Sequence, residues 1–170
     1  VFRVKYSDKD EYFHVSLIKS EYAPLWSQIH SDIVVIGGEF ASITTAIAAA
    51  NKGSKVSLLY SGALGGLCSE DGANLRYFDR VHGMEYTPEL AGILKVLGAQ
   101  DKVSIPEGVS EKLRRLIETK YAGRISLIKT ESCVELNVIS AGSKITAIRT
   151  PEGVEISGPV FIDTTPDALI

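Results

Sequence analysis

The feature that most limits the possible folds is a strand, a glycine turn, a helix and a second strand, which follow one another within about thirty residues. Residues 32–36 (DIVVI) are a continuous β-branched run, typical of a strand buried on both faces of a parallel sheet. After Gly37 and Gly38, apolar residues recur at helical spacing as far as Gly53, which stands where a C-terminal cap belongs. Residues 55–60 (KVSLLY) are the next strand. This is a βαβ unit, which is almost always right-handed.

The rest of the chain extends this α/β pattern. Residues 89–97 and 107–121 carry helical periodicity, and 125–129 is typical of a third parallel strand. Short strands separated by AGS and PEG turns then predict an antiparallel meander followed by a last buried strand: 133–140, 144–150, 154–157 and 160–163. We therefore expect an α/β fold, with a Rossmann-like, mainly parallel sheet flanked by helices, an antiparallel β-meander and an N-terminal β-hairpin.

The N-terminal segment lies outside this pattern. Residues 1–6 and 12–18 alternate apolar and polar side chains and predict a β-hairpin, and residues 21–31 are expected to be a connecting loop. The predicted organisation is a hairpin and loop over 1–31 and a nucleotide-binding type of domain, incomplete, over 32–170.

Charge and hydropathy exclude several kinds of partner. The formal net charge of −3 over 170 residues argues against nucleic acid or an anionic membrane as the main partner. No apolar run reaches the roughly 18 to 20 residues of a membrane span, so we expect a soluble protein, with its compartment left open.

The cysteines and histidines form no recognisable site. Cys68 and Cys133 stand far apart, in no metal-ligand spacing, and are expected to be small buried hydrophobes. The three histidines are isolated along the chain and favour structural roles: His14, His30 and His82. The sequence therefore predicts no metal site, and no residue is a convincing catalytic acid, base or nucleophile.

The glycine turn departs from the G-x-G-x-x-G pattern that binds dinucleotides. In that pattern the first glycine makes the tight turn, the second lets the backbone approach the pyrophosphate, and the third packs the helix on the strand. Gly37 keeps the first position, whereas Glu39 and Ser42 stand at the second and third. The acidic residue that grips a ribose belongs at the end of the second strand, where this chain has Tyr60.

Beyond the motif, the order of elements resembles the opening of FAD-dependent oxidoreductases. The segment 33–68 (IVVIGGEFASITTAIAAANKGSKVSLLYSGALGGLC) is similar to their strand, glycines, Ala-rich helix, strand and small-residue loop. The end of the chain, VFIDTTPDALI, is similar to the Ala-Thr-Gly-Asp type of segment that passes the cofactor, with Thr165 and Asp167 matching. Pro166 and Ala168 depart from the family pattern there. The resemblance spans roughly residues 32–170.

The resemblance implies FAD as the cofactor and hydride or electron transfer to a small-molecule substrate as the function. It implies that Gly37 and Gly38 face the pyrophosphate, that Gly65 and Gly66 lie along the cofactor, and that Asp167 lies near its ribityl or phosphate end. Such enzymes normally need a further substrate-binding region, so the chain is expected to be part of a larger protein. The alternative is a non-catalytic scaffold or interaction domain that has lost FAD.

Charge makes Glu39 the most serious departure. A carboxylate about 4 Å from a phosphate costs on the order of 4 kcal/mol at an effective dielectric near 20, roughly a thousandfold in affinity. The same carboxylate is favoured at a helix N-terminus by about 0.3 to 1 kcal/mol. Our hypothesis is that Glu39 occupies the anion site itself.

The other departures have plainer interpretations. Ser42 indicates either a slightly larger spacing between helix and strand, which is the favoured interpretation, or a contact with the cofactor phosphate. Gly65 and Gly66 are either turn residues or cofactor contacts. Tyr60 is either a surface aromatic at the end of its strand or a ribose or adenine contact.

Overall fold

The computed structural model describes residues 3–5, 14–16, 27–69, 86–98 and 108–166. Residues 70–85, which include His82, and residues 167–170, which include Asp167, lie outside these ranges. At the N-terminus, β1 (Arg3–Lys5) and β2 (His14–Ser16) pair antiparallel, as the predicted hairpin requires. The described chain then continues with the following elements: β3 (Ser27–His30), β4 (Ile33–Ile36), α1 (Phe40–Asn51), β5 (Val56–Ser61), α2 (Pro88–Leu97), α3 (Val109–Lys120), β6 (Ile125–Thr130), β7 (Asn137–Ala141), β8 (Lys144–Arg149), β9 (Val154–Ser157) and β10 (Val160–Asp163).

The first four-stranded sheet is parallel throughout and has the strand order β10-β4-β5-β6. Its central strands, β4 and β5, are buried on both faces because helices cover one side and a second sheet covers the other. Side chains alternate accordingly: Val35 and Leu58 face the helices, whereas Val34 and Leu59 face the second sheet. The predicted Rossmann-like sheet and the strands of the βαβ unit are confirmed.

The second four-stranded sheet contains the predicted meander and one strand that the sequence did not indicate. Its order is β3-β9-β8-β7, with β7, β8 and β9 antiparallel and β3 parallel to β9. The prediction of a connecting loop over 21–31 is therefore wrong at Ser27–His30, which form strand β3. This strand has three exposed positions around Ile29, so its alternation is too short to be recognised without its partner.

The helices begin and end close to the predicted positions. In α1 three of the six buried side chains are small, Ser42, Ala46 and Ala50, and the helix packs against β4 and β5. The α2 helix begins with Pro88 after Thr87, whose hydroxyl accepts a hydrogen bond from the Leu90 amide at 3.3 Å, and ends at the left-handed Gly98. None of the helices in the described ranges has the length and hydrophobicity of a bilayer-crossing segment.

Candidate functional site

A cleft of about 240 Å³ opens at the carboxyl edge of the parallel sheet. Ligands of open α/β sheets bind at this edge, because the loops that follow neighbouring strands converge there. The lining residues come from the carboxyl ends of β4, β5, β6 and β10 or from the loops that follow them: Gly37, Gly38, Glu39, Ser61, Glu131, Ser132, Cys133, Val134, Thr165 and Pro166. The structure therefore brings Gly37, Gly38, Glu39 and Thr165, four of the predicted site residues, together around one space.

Gly37 forms the tight turn that leads from β4 into α1. Its φ of +129° is a conformation that L side chains rarely adopt. A Cβ at this position would lie 2.6 Å from Ser42 Oγ and 2.8 Å from Thr164 Oγ1. Its amide donates to the Leu59 carbonyl at 2.9 Å, which ties the turn to the neighbouring strand β5. The first glycine of the motif is thus structurally required here.

Ser42 points into the contact between α1 and β10. It is fully buried, and its hydroxyl lies 2.7 Å from Thr164 Oγ1, which in turn lies 2.8 Å from the Ile36 carbonyl oxygen. Because a carbonyl only accepts, the single hydroxyl proton of Thr164 goes to Ile36, and Ser42 is the donor of the other bond. Ser42 is therefore used in packing the helix against the sheet and is not among the cleft-lining residues.

Gly65 and Gly66 form a second turn beside the first. The Gly65 amide donates to the Gly38 carbonyl at 2.7 Å, so the loops after β4 and β5 are joined directly. Both residues have positive φ values, +96° and +56°. A Cβ on Gly65 would press against Leu113 and Val109 of α3 at 3.2 Å. The turn conformation accounts for both glycines, and a cofactor contact by either stays a prediction.

Glu39 occupies the N-cap position of α1 without capping it. Its backbone is extended, with φ −73° and ψ 170°, and its side chain makes no capping hydrogen bond to the helix. The carboxylate instead lies over Gly66, where it would overlap any Cβ placed on that glycine. The half-buried Glu39 side chain thus reaches from the first glycine turn to the second along the edge of the cleft.

A further wall of the cleft, formed by residues 131–134, was missed by sequence reasoning. We expected a meander strand from Cys133, but β7 begins only at Asn137, and the preceding residues turn beside the cleft. Cys133 is buried, as predicted, whereas Val134 is 74% exposed. The signal that could have revealed this wall is its position directly after β6, a parallel strand whose carboxyl end must lie at the ligand edge.

Glu152, in the turn between β8 and β9, holds this wall in place. Its carboxylate accepts hydrogen bonds from the Glu131 amide at 2.5 Å and from the Thr130 hydroxyl at 3.0 Å. The Glu131 amide is the main cause that lowers the pKa of Glu152 to about 2; desolvation acts in the opposite direction, and the Thr150 and Thr130 hydroxyls assist the lowering. The meander therefore fixes the backbone conformation at the end of β6.

Thr165 follows β10 at the opposite side of the cleft. Its amide and hydroxyl both lie within hydrogen-bonding distance of Asp163 Oδ1, at 2.8 and 2.6 Å. This local Asp–Thr turn ends the strand and directs the chain along the cleft as far as Pro166. Asp167, the acidic residue of the family segment, lies outside the described residues.

Tyr60 does not lie on the surface. Its side chain is 4% exposed and belongs to the apolar core on the helix side of the sheet, together with Phe40 and Leu64. The surface alternative for this residue is therefore wrong. Tyr60 is also not among the residues that line the cleft, and its predicted contact with a ribose or adenine stays a prediction.

The glycines at the start of α1 match the dinucleotide pattern in part, whereas the Glu39 side chain departs from it. Gly37 and Gly38 line the cleft at the start of α1, where the dinucleotide pattern places the pyrophosphate. Glu39 fills the space over Gly66 with a negatively charged group. Among the described lining residues, Glu39 and Glu131 are acidic and none is Lys or Arg, so this part of the cleft offers no cation to a phosphate.

The described residues hold no sign of a metal centre. Within those ranges, no three His, Cys, Asp or Glu side chains come together as a metal site would require. His30 is engaged instead with the Ser157 hydroxyl at 3.1 Å, a contact between β3 and β9.

Comparison with known proteins identifies the family through its sequence model. The model described as "FAD dependent oxidoreductase" matches residues 32–170, which is most of the chain. No curated protein sequence matches the chain significantly.

Solved structures share the fold at low identity. A GidA-related protein from Thermus thermophilus aligns with a TM-score of 0.54 and 16% identity, over 78% of this chain and 51% of that one. A steroid monooxygenase solved in its oxidised form with NADP aligns with a TM-score of 0.50 and 18% identity, over 79% of this chain and 26% of that one. The chain therefore spans about half or less of the length of these structures.

Proposed function

The chain belongs to the FAD dependent oxidoreductase family, and from that premise we propose that it forms the dinucleotide-binding portion of a larger flavoprotein acting on a small molecule. The proposed nucleotide site is the cleft at the carboxyl edge of the parallel sheet. The observation that carries the proposal is the pair of glycine turns at this edge, joined by the hydrogen bond from Gly65 to Gly38.

The proposed division of labour follows the chemistry of the family. FAD carries the electrons when bound, while the protein binds and orients it. In this chain the backbone at Gly37 and Gly38 is the candidate contact for the pyrophosphate, and the segment from Thr165 is the candidate contact farther along the cofactor. Acids, bases and substrate contacts are assigned to the remainder of the larger protein.

A specific observation favours a second candidate, a scaffold domain without cofactor. Both charged side chains that line the described part of the cleft, Glu39 and Glu131, are acidic, and Glu39 covers Gly66. A protein that keeps the fold for packing or for contact with another chain has no need of a free anion site. Both proposals are compatible with the family membership, because a fold can be kept while the function of its site changes.

Titration with FAD distinguishes the two candidates. The purified chain is tested for visible flavin absorption and then titrated while flavin fluorescence is followed. Saturable binding supports the oxidoreductase proposal, whereas no binding by a folded sample up to about 1 mM FAD, equivalent to about −4 kcal/mol, supports the scaffold.

A matched pair of variants places any binding at the cleft. Ser132→Trp puts a large ring into the cleft wall and should abolish FAD binding, whereas Ser126→Trp places the same ring on an exposed position of β6 and should preserve it. Equal affinities for the two variants would place the bound FAD elsewhere on the protein. Circular dichroism and thermal unfolding of both variants check that they fold.

A further inference from the structure

We infer that one side chain, Glu39, decides whether this chain binds a dinucleotide, because the other departures at the glycine motif and at the end of β5, Ser42 and Tyr60, leave the glycine turns intact. The inference rests on the proposed function, since it concerns the affinity of the same cleft. It makes Glu39 a specificity-determining residue and predicts that removing its charge is sufficient to raise affinity. The departures at Ser42, Tyr60 and Glu39 differ in where each side chain lies.

Ser42 preserves the function of the glycine it replaces. The role of that glycine is close packing of the helix on the strand. Here the Ser42 hydroxyl is hydrogen-bonded to Thr164 Oγ1 at 2.7 Å, and the Ser42 side chain is fully buried. The neighbouring turn at Gly37 keeps its φ of +129°. The third position therefore neither obstructs the cleft nor displaces the first turn.

Tyr60 removes a favourable contact but adds no obstacle. A carboxylate at the end of β5 could accept two hydrogen bonds from a ribose diol, which a phenol cannot do. The Tyr60 ring, however, packs on the helix side of the sheet and stays out of the cleft. The loss of a ribose contact weakens binding without preventing it.

Glu39 differs from both because it acts inside the cleft. The Glu39 side chain lines the cleft, and its carboxylate covers Gly66 and so lies between the two glycine turns. A bound pyrophosphate must displace this side chain and remain close to its charge. At about 4 Å and an effective dielectric near 20, the repulsion alone corresponds to roughly a thousandfold in affinity.

Four proteins test the inference: the parent chain, Glu39→Gln, Glu39→Gly and Glu135→Gln. Glu39→Gln removes the charge and keeps the size, whereas Glu39→Gly also clears the space over Gly66. Glu135→Gln makes the same change in net charge at an exposed residue outside the cleft lining. FAD affinity is measured from flavin fluorescence, and thermal unfolding verifies that each protein is folded.

We expect Glu39→Gln to bind FAD on the order of a hundredfold to a thousandfold more tightly than the parent, and Glu39→Gly at least as tightly as Glu39→Gln. Glu135→Gln should stay within about threefold of the parent, because an exposed charge outside the cleft interacts through high-dielectric solvent that salt screens. The advantage of Glu39→Gln should shrink as salt is raised, a dependence that a purely steric effect would not produce.

The outcomes separate this inference from the proposed function. Equal FAD affinities of the parent and Glu39→Gly, both measurable, overturn the inference and leave the proposed function standing. Tight binding by Glu39→Gly beside a parent that does not bind supports the inference and favours the scaffold for the natural chain. If none of the four folded proteins binds FAD, both the inference that the glycine turns still form a dinucleotide site and the proposed function are overturned.

Discussion

Two walls of the cleft each carry a glutamate: Glu39 in the turn after β4, and Glu131 directly after β6. The two walls are built in opposite ways. On the first wall, the carboxylate of Glu39 reaches across to Gly66, so a side chain shapes the cleft. On the second wall, the Glu131 side chain is exposed while its amide is held by Glu152 at 2.5 Å, so the backbone shapes the cleft. The first wall can therefore be changed by one substitution, whereas the second depends on a contact with the meander.

The largest expected effect concerns the backbone of the first wall. Gly37→Ala should destabilise the protein by about 3 kcal/mol or more, because a Cβ is placed at φ +129° and would lie 2.6 Å from Ser42 Oγ. Gly62→Ala is the matched control, with positive φ but nothing within 4 Å of its Cβ, and should cost only about 1 kcal/mol. Urea unfolding measures both. Similar losses would mean that the turn at Gly37 tolerates a side chain.

A smaller effect tests the contact between the two turns. Gly66→Ala should destabilise the parent by about 1 to 3 kcal/mol, because its Cβ would overlap the Glu39 carboxylate. In the Glu39→Gly background the same substitution should cost less, leaving a coupling of about 0.5 to 2 kcal/mol in a double-mutant cycle. If the stability losses of the two substitutions are additive, the Glu39 side chain does not contact Gly66, and the first wall is not shaped by a side chain.

The smallest effect concerns Glu152 and the second wall. The hydrogen bonds of its carboxylate lower the pKa of Glu152 from the ordinary value of 4.5 to about 2. Its contribution to the folding stability is therefore full above pH 4.5 and is lost as pH falls toward 2. Because the residue is exposed, we expect less than about 1 kcal/mol from it after solvent screening. Glu152→Gln should therefore be slightly less stable at neutral pH and should lose less stability than the parent between pH 6 and about pH 3.

Urea midpoints at the two pH values measure this difference. Glu155→Gln is an unsuitable control, because Glu155 pairs with Arg149 at 2.7 Å; Glu118→Gln, on the exposed side of α3, changes the charge without touching the cleft. An identical pH response of parent and Glu152→Gln would mean that the carboxylate does not hold the Glu131 amide in solution.

Local signals were sufficient for the first wall and its surroundings. The β-branched run of β4, the apolar periodicity of α1 and the glycines at positions 37 and 38 predicted a strand, turn and helix, and the structure confirms them. These signals lie within a few residues of the elements they specify. The substitution of Glu39 for a glycine was also visible, since the spacing of the motif defines each position.

The second wall could not be found in the same way. Residues 131–134 carry no motif, and their conformation depends on Glu152, which is about twenty residues away in sequence but adjacent across the meander. The short strand β3 has no local signal either, because its regular structure comes from pairing with β9, where Ser27 meets Val154. The burial of Tyr60 was undecided because helices distant in sequence from β5 complete the apolar core around it.

The sequence by itself determined the α/β class, the succession of strands and helices from β4 onward, and the chemical identity of each motif position. Periodicity and glycine placement are local properties of the sequence, so they can be recognised without knowing which distant segments pack together. The tertiary structure alone decided that Ser42 bonds to Thr164, that Glu39 covers Gly66 and that Glu152 holds Glu131. Each of these contacts joins segments distant in sequence. The convergence of parallel strands at one edge brings Ser42 to Thr164 and Glu39 to Gly66, and the packing of the meander on the sheet brings Glu152 to Glu131.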